Sequence, residues 1–340
     1  MQHEQELMAT ASALVAPRKG ILAADESTGT IGKRFAKLNI ASTTEMHRAY
    51  RDMLFTTAGV EDFISGVILY DETIRQESLG GTLFPKLLAE KGIIPGIKVD
   101  LGTVELALHP GEKTTQGLDG LRERLAEYET MGARFTKWRA VITIGSDIPS
   151  AACIAANAHG LAQYAALAQE SGLVPIVEPE VLMDGDHTME QCEAVTTHVL
   201  RVVFKELIRQ GVLLEGMLLK PSMVISGKTC ARQAGVQDVA EATVRTLSRT
   251  VPAVIPGIVF LSGGQSSEVA TAHLNAMNKM GSHPWQLSYS YGRALQEPAL
   301  TIWHGDEGNI AAAQAAFYHR CKCNSAARTG SYTAELEQQF

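Results

Sequence analysis

The chain has 340 residues, 45% hydrophobic and 20% charged, and its 30 Lys and Arg against 37 Asp and Glu leave a formal net charge of −7. That length suits one large domain or two modest ones, and an acidic balance without a basic block or stripe argues against nucleic acid as the main partner. No run approaches the roughly 18 apolar residues of a membrane span, so no membrane partner is expected.

The start, MQHEQELMATASALV, lacks the basic opening and long apolar core of a secretory signal. It reads as an amphipathic helix over about 1–17. After it, short apolar strand-like runs alternate with helix-like stretches. The strand candidates are GILAADE (20–26), GVILYDE (66–72), PGIKVD (95–100), FTKWRAV (135–141), VPIVEPE (174–180), GMLLKPSM (216–223), GIVFLSGG (257–264) and WQLSYSYGR (285–293). Most are rich in Val, Ile and Leu and several open on Gly or Pro, as buried parallel strands do.

The stretch after the first strand, GTIGKR (29–34), resembles a P-loop only superficially. Two residues separate Gly29 from Gly32, and Arg34 stands where a magnesium-binding Ser or Thr is needed. Between the fourth and fifth strands, Ser150 is a fair N-cap and Gly172 a fair stop. Gly132 and Gly211 end two further helical patterns in the same way.

Eight strands alternating with helices predict a parallel sheet, and eight is the number that closes into a (β/α)8 TIM barrel. An open doubly wound sheet is the alternative, although no Gly-rich dinucleotide loop follows the first strand. No linker divides the chain, so a single barrel domain over 1–340 is expected, with a short tail over about 325–340.

In such a barrel, functional side chains gather at the C-terminal strand ends. Applied strand by strand, that rule collects Asp25 and Glu26, Asp71 and Glu72, Lys98 and Asp100, Lys137 and Arg139, Glu178 and Glu180, and Lys220. It then reaches Ser262-Gly263-Gly264 and Tyr291-Gly292-Arg293. Four of these are i, i+2 pairs, counting Lys220 with Ser222, and strand periodicity puts both members on one face. Any one pair reads equally well as a solvated strand end. Together they predict a charged barrel mouth, where charges must compensate one another or serve a ligand.

Lys220 ends an apolar run, and Pro221 keeps it out of the α region. Among Lys137, Glu178 and Glu180, desolvation and a neighbouring cation favour its neutral amine. Bringing a lysine from about 10.4 to about 7–8 requires roughly 3–4 kcal/mol. A neutral amine attacks carbonyls and forms a Schiff base. SGGQS (262–266) is either a flexible turn or, with Arg293 after the eighth strand, an anion cradle of backbone N–H groups and guanidinium. Lys98, Arg139 and Arg34 add positive charge elsewhere on the rim.

Metal chemistry is poorly supported. None of the ten histidines ends a predicted strand, no HxH or His pair at i, i+4 occurs, and DGDH (184–187) is a short acidic turn. No GxSxG elbow is present. Five cysteines without CxxC spacing read as reduced thiols, and Cys321-Lys322-Cys323 fits zinc ligation badly.

The motifs GILAADESTGTIGKR, GIKVD, TTQGLDGL, KWR, PIVEPE, LLKP, FLSGGQS and SYGRAL, in order from about residue 18 to 332, resemble the class I fructose-1,6-bisphosphate aldolase family. The resemblance implies a (β/α)8 barrel that uses a lysine Schiff base and no metal or other cofactor. It implies sugar phosphates as partners and a homo-oligomer, most often a tetramer, while a cytoplasmic location is expected from the lack of a targeting signal. Carried over by position, it makes Lys220 the Schiff-base lysine and Asp25 the acid/base group of C3–C4 cleavage. Glu178 and Glu180 become the proton handlers of imine formation, with Lys137 balancing their charge. It assigns Ser262, Gly263, Ser290 and Arg293 to the C1-phosphate, and Lys98, Arg139, Ser27 and Thr30 to the other phosphate. Arg34 is tied to phosphate binding and tail closure.

Three positions depart from the animal and plant pattern. Leu101 replaces a frequent lysine, Ser222 replaces a common asparagine, and the tail ends on Phe340, which has no hydroxyl. Tyr332 matches the start of that tail rather than its tip, so no acid/base role for the tail is expected. Three rivals remain open at the level of sequence: a Schiff-base aldolase preferring sedoheptulose 1,7-bisphosphate, a non-enzymic scaffold, and a zinc-dependent aldolase.

Overall fold

The architecture follows from where apolar side chains alternate. In the computed structural model, which describes residues 3–339, the strands are β1 (Gly20–Ala23), β2 (Ile64–Leu69), β3 (Ile94–Lys98), β4 (Thr103–Glu105), β5 (Lys113–Thr115), β6 (Phe135–Ile142), β7 (Val174–Val181), β8 (Leu218–Leu219), β9 (Gly257–Phe260) and β10 (Gln286–Tyr291). β4 and β5 form an antiparallel hairpin between β3 and β6. The other eight are parallel and follow one another round a closed ring, because β1 pairs with both β2 and β10. The open-sheet alternative is thereby excluded.

Helix boundaries obey local chemistry. The Ser150 side chain accepts from Cys153 N at the start of the helix Ala151–Glu170, and Thr188 and Gln191 form a reciprocal capping box before Met189–Arg209. Those two helices stop at Gly172 and Gly211, at φ 74° and 78°. Residues with a Cβ rarely adopt that conformation.

Two apolar cores result. One lies between the barrel and its helices. The other fills the lower half of the barrel, where Ile21, Ile68, Phe135, Val174, Ile176, Leu218 and Val259 meet Leu7, Ala11, Leu14 and Val15 of the N-terminal segment. The N-terminal helix therefore plugs the bottom of the barrel. On β6 and β7, Phe135, Val174 and Ile176 face this interior, while Trp138, Val177 and Val181 face the outer core. A period of two along each strand then puts Lys137, Arg139, Glu178 and Glu180 inside, directly above an apolar floor.

Several sequence-derived boundaries shift. The first helix spans Glu4–Leu14, narrower than 1–17. The helix Ile310–Ala327 continues through position 325, so the tail begins beyond Ala327. β8 is two residues long, against an expected eight. The lone Pro221 cannot donate to a ladder, yet Lys220 N still donates to Val177 O at 2.8 Å and Pro221 O accepts from Leu261 N at 3.2 Å. Asp71 and Glu72 do not face the barrel mouth. They open a short helix, Asp71–Ile74, where Asp71 pairs with Arg75 and Glu72 with His47.

Close backbone approach at the floor gives a test. A Cβ added at Gly96 would lie 2.3 Å from the Phe135 ring, which is fully buried. Gly96→Ala is expected to destabilise the fold by about 1–3 kcal/mol through overpacking, read as a lowered urea midpoint with an unchanged m-value.

Candidate active site

The inward side chains above the floor line a cleft of about 320 Å³ at the C-terminal strand ends. All fourteen residues given a role by the family resemblance line it: Asp25, Ser27, Thr30, Arg34, Lys98, Lys137, Arg139, Glu178, Glu180, Lys220, Ser262, Gly263, Ser290 and Arg293. β6, β7 and the Lys220 segment just past β8 are neighbours in the ring, so Lys137, Glu178 and Lys220 meet at its centre. Leu219, one residue earlier, packs outside.

Glu178 lies between two buried ammonium groups. Its Oε1 is 3.3 Å from Lys220 Nζ and its Oε2 is 3.3 Å from Lys137 Nζ. Lys137 Nζ also lies 2.7 Å from Asp25 Oδ2 and 4.0 Å from Asp100 Oδ2. Burial alone would push the Asp25 carboxyl up, but Lys137 and, behind it, Lys220 hold it well below the ordinary carboxylate range. Burial would push Lys137 down, yet Asp25, Glu178 and Asp100 hold it well above its ordinary value. Lys137 is thus a fixed cation flanked by acids. Glu178 Oε2 accepts no hydrogen bond among the described residues, which leaves a lone pair open to a ligand.

Cationic groups sit at two poles of the rim. Ser262 and Gly263 follow β9, and Ser290 and Arg293 lie on and after β10. Lys98 ends β3, and Arg139 lies on β6. In the ring order these strand pairs are diametrically opposed. Ser290 Oγ is buried without a protein hydrogen-bond partner among the described residues, as a hydroxyl kept for a ligand would be. At the other pole, Arg139 Nε pairs with Glu180, and Lys98 Nζ lies 2.7 Å from Asp100 Oδ1. Burial would lower Arg139, but Glu180 outweighs it and raises the guanidinium above its usual value. Ser27 and Thr30 hydroxyls are 3.0 Å apart beside this pole.

Two supporting residues were missed as site members. Glu26 is buried and bridges Arg34 and Arg51, with the Arg51 contact at 2.5 Å, and it also accepts from Gln296 Nε2 at 3.0 Å. Asp100 accepts from Arg139 N at 3.2 Å and Gly102 N at 3.2 Å while pairing with Lys98. Both stand at strand ends in the sequence, but their partners come from distant elements that no spacing reveals. The departing positions behave differently. Leu101 is exposed, and Ser222 Oγ donates to Val181 O at 2.7 Å.

Tyr332 does not line the cleft. Its hydroxyl donates to Glu337 at 2.6 Å and its amide to Asn275 at 3.0 Å, and Glu337 pairs with the buried Arg320 at 2.5 Å. Phe340 lies outside the described residues. His319, Cys323 and Glu337 are the one group of potential metal ligands clustered within 4.8 Å among the described residues. They lie on the outer helix and tail, and the carboxylate is already neutralised by Arg320.

The family model described as fructose-bisphosphate aldolase class-I matches residues 6–340. A probable fructose-bisphosphate aldolase class 1 of Xanthomonas campestris pv. campestris is 60% identical over 329 residues, 96% of this chain and 98% of that one. The fructose-bisphosphate aldolase of Dictyostelium discoideum is 55% identical over 333 residues, 97% of this chain and 93% of that one. A cytosolic fructose-bisphosphate aldolase of Arabidopsis thaliana is 55% identical, over 98% of this chain and 93% of that one. The fold superposes with a TM-score of 0.97 on fructose-bisphosphate aldolase from Plasmodium falciparum, solved in complex with TRAP and a small-molecule inhibitor. That protein is 50% identical, with 98% of this chain and 97% of that chain covered.

The charge network makes a pH and mutational prediction. Depressed Asp25 contributes stability that is fully present above about pH 4 and is lost as pH falls through its folded value. Raised Lys137 contributes stability fully present below about pH 10.4 and lost as pH rises through its folded value. The pair therefore stabilises the fold across the neutral range. Lys137→Met leaves Asp25 and Glu178 buried beside one cation fewer. It is expected to cost about 3–5 kcal/mol in denaturant unfolding. It should also raise the Asp25 carboxyl, followed by NMR titration, toward or above about 3.9.

Proposed function

The chain belongs to the class I fructose-bisphosphate aldolase family and is a metal-independent lyase of sugar phosphates; from that premise we propose that Lys220 is its Schiff-base lysine. The observation that carries this reading is a buried amine above the apolar floor, 3.3 Å from a carboxylate, just past a strand that lies between the two cationic poles in the ring. A bisphosphate held at both ends presents its ketone to that amine, so phosphate binding energy serves orientation.

Glu178 accepts a proton from the Lys220 ammonium as the ketone arrives. The freed amine attacks C2 of fructose 1,6-bisphosphate, an N–C bond forms, and the carbonyl oxygen takes a proton. Glu178, with Glu180 nearby, protonates the carbinolamine hydroxyl, and water leaves to give the iminium. Asp25, kept anionic by Lys137, takes the C4 hydroxyl proton. The C3–C4 bond breaks, its electrons pass to the iminium nitrogen, and C4 leaves as the aldehyde of glyceraldehyde 3-phosphate. Protonation of the resulting enamine at C3 and hydrolysis of the imine release dihydroxyacetone phosphate and restore the amine. Lys137 stays protonated throughout and keeps Asp25 anionic without competing as a nucleophile. Ser262, Gly263, Ser290 and Arg293 hold the C1-phosphate, Lys98, Arg139, Ser27 and Thr30 hold the other, and Arg34 contributes to phosphate binding.

We assign the protein to the cytoplasm, as one barrel domain over 1–340 that assembles into a homotetramer. Supporting this are the family resemblance and the cytosolic naming of Arabidopsis relatives. Light scattering at working concentration should return a mass near four chains.

Borohydride reduction in the presence of dihydroxyacetone phosphate should label Lys220 in peptide mass mapping, and a label on any other lysine refutes the assignment. Lys220→Met should fold, bind substrate and show no measurable turnover. Asp25→Asn should lower kcat by about 10²–10⁴. EDTA should leave activity intact. The ratio of kcat/KM for fructose 1,6-bisphosphate to that for sedoheptulose 1,7-bisphosphate should exceed one.

A further inference from the structure

The loop after β9 turns through two flexible residues that the turn alone does not fix in place. Gly263 and Gly264 are consecutive left-handed residues at φ 54° and 83°. Glycine adopts this shape readily, but two flexible residues lose more conformational freedom on ordering than any other pair. Something outside the turn must keep Ser262 and Gly263 facing the cleft.

The side chain of Gln265 folds back under the turn. Its Nε2 donates to Ser262 O at 3.0 Å, where the Gln265 backbone N–H also donates at 3.0 Å. Its Oε1 lies 2.6 Å from Nδ1 of His273, which is buried on the helix Ser267–Lys279. The amide orientation is forced by its neighbours. Ser262 O and Met223 Sδ, 3.7 Å from Nε2, are both acceptors, so the NH2 must face them. The carbonyl then faces the imidazole, and the His273 Nδ1 must carry the hydrogen. Burial depresses His273 to about 4, so the ring is neutral in the working range and this tautomer is held.

We propose that Gln265 and His273 are positioning residues, a strut from the helix to the Ser262 carbonyl that keeps the 262–264 turn in its phosphate-receiving shape. Neither touches substrate. This rests on the reading of Ser262 and Gly263 as the C1-phosphate cradle, and it adds the residues that hold that cradle.

The test separates phosphate recognition from amine chemistry by trapping the imine with borohydride. Two ketones are used, dihydroxyacetone phosphate and unphosphorylated dihydroxyacetone. In Gln265→Met, which keeps the volume and removes both hydrogen bonds, the dihydroxyacetone phosphate concentration for half-maximal trapping should rise about tenfold. Trapping by dihydroxyacetone should match the parent protein. His273→Leu should show the same split. His273→Asn, whose amide nitrogen sits near the position of Nδ1, should recover most of the loss. An unchanged dihydroxyacetone phosphate requirement in Gln265→Met, or equal losses for both ketones, overturns the strut. Labelling away from Lys220 in the parent protein instead overturns the underlying site reading.

Discussion

One carboxylate shared by two buried ammonium groups organises the molecule. Glu178 reaches Lys220 with one oxygen and Lys137 with the other. An isolated charge at that depth would be untenable, so each member is held there by the others. Asp25 completes the set through Lys137. The apolar floor of Phe135, Val174, Ile176 and Leu218 below denies these groups water from beneath, so their charges are felt strongly by one another and by whatever enters from above.

That arrangement divides labour between two chemically identical side chains. Lys137 is surrounded by Asp25, Glu178 and Asp100, and this acidic company raises it. Lys220 has Glu178 as its one ion-pair partner within 4.0 Å among the described residues. Three acidic groups therefore surround one lysine and a single carboxylate stands beside the other. In the proposed mechanism it is this difference of environment, not residue type, that separates the electrostatic lysine from the nucleophile.

The rim repeats the principle at lower depth. Arg34, Arg139 and Lys98 each lean on a carboxylate, Glu26, Glu180 and Asp100 respectively. The long cationic side chains are therefore ordered before a ligand arrives, which reduces the entropy lost on binding. The Ser262–Gly264 turn is supported by a neutral amide and imidazole instead. For the anion-receiving role proposed for this turn, an acidic support beneath it would be a cost.

The sequence by itself determined the eight-stranded parallel sheet and most of the side chains that line the cleft. Eight apolar runs separated by helical patterns predict a parallel sheet, and the i, i+2 pairs Lys137/Arg139 and Glu178/Glu180 dictate which face carries charge, because strand periodicity is local; closure of that sheet into a ring was settled by the pairing of β1 with both β2 and β10. Helix stops at Gly172 and Gly211 were readable for the same reason. Only the tertiary structure decided partnership. Nothing in the spacing says that Glu178 serves both lysines, that Glu26 ties Arg34 to Arg51, or that Asp71 and Glu72 turn away into a helix start. The two-residue length of β8, the β4–β5 hairpin and the docking of Tyr332 onto Glu337 were equally hidden. These depend on which distant elements closure of the ring brings within hydrogen-bond reach, and that distance is a property of the closed barrel rather than of any segment in it.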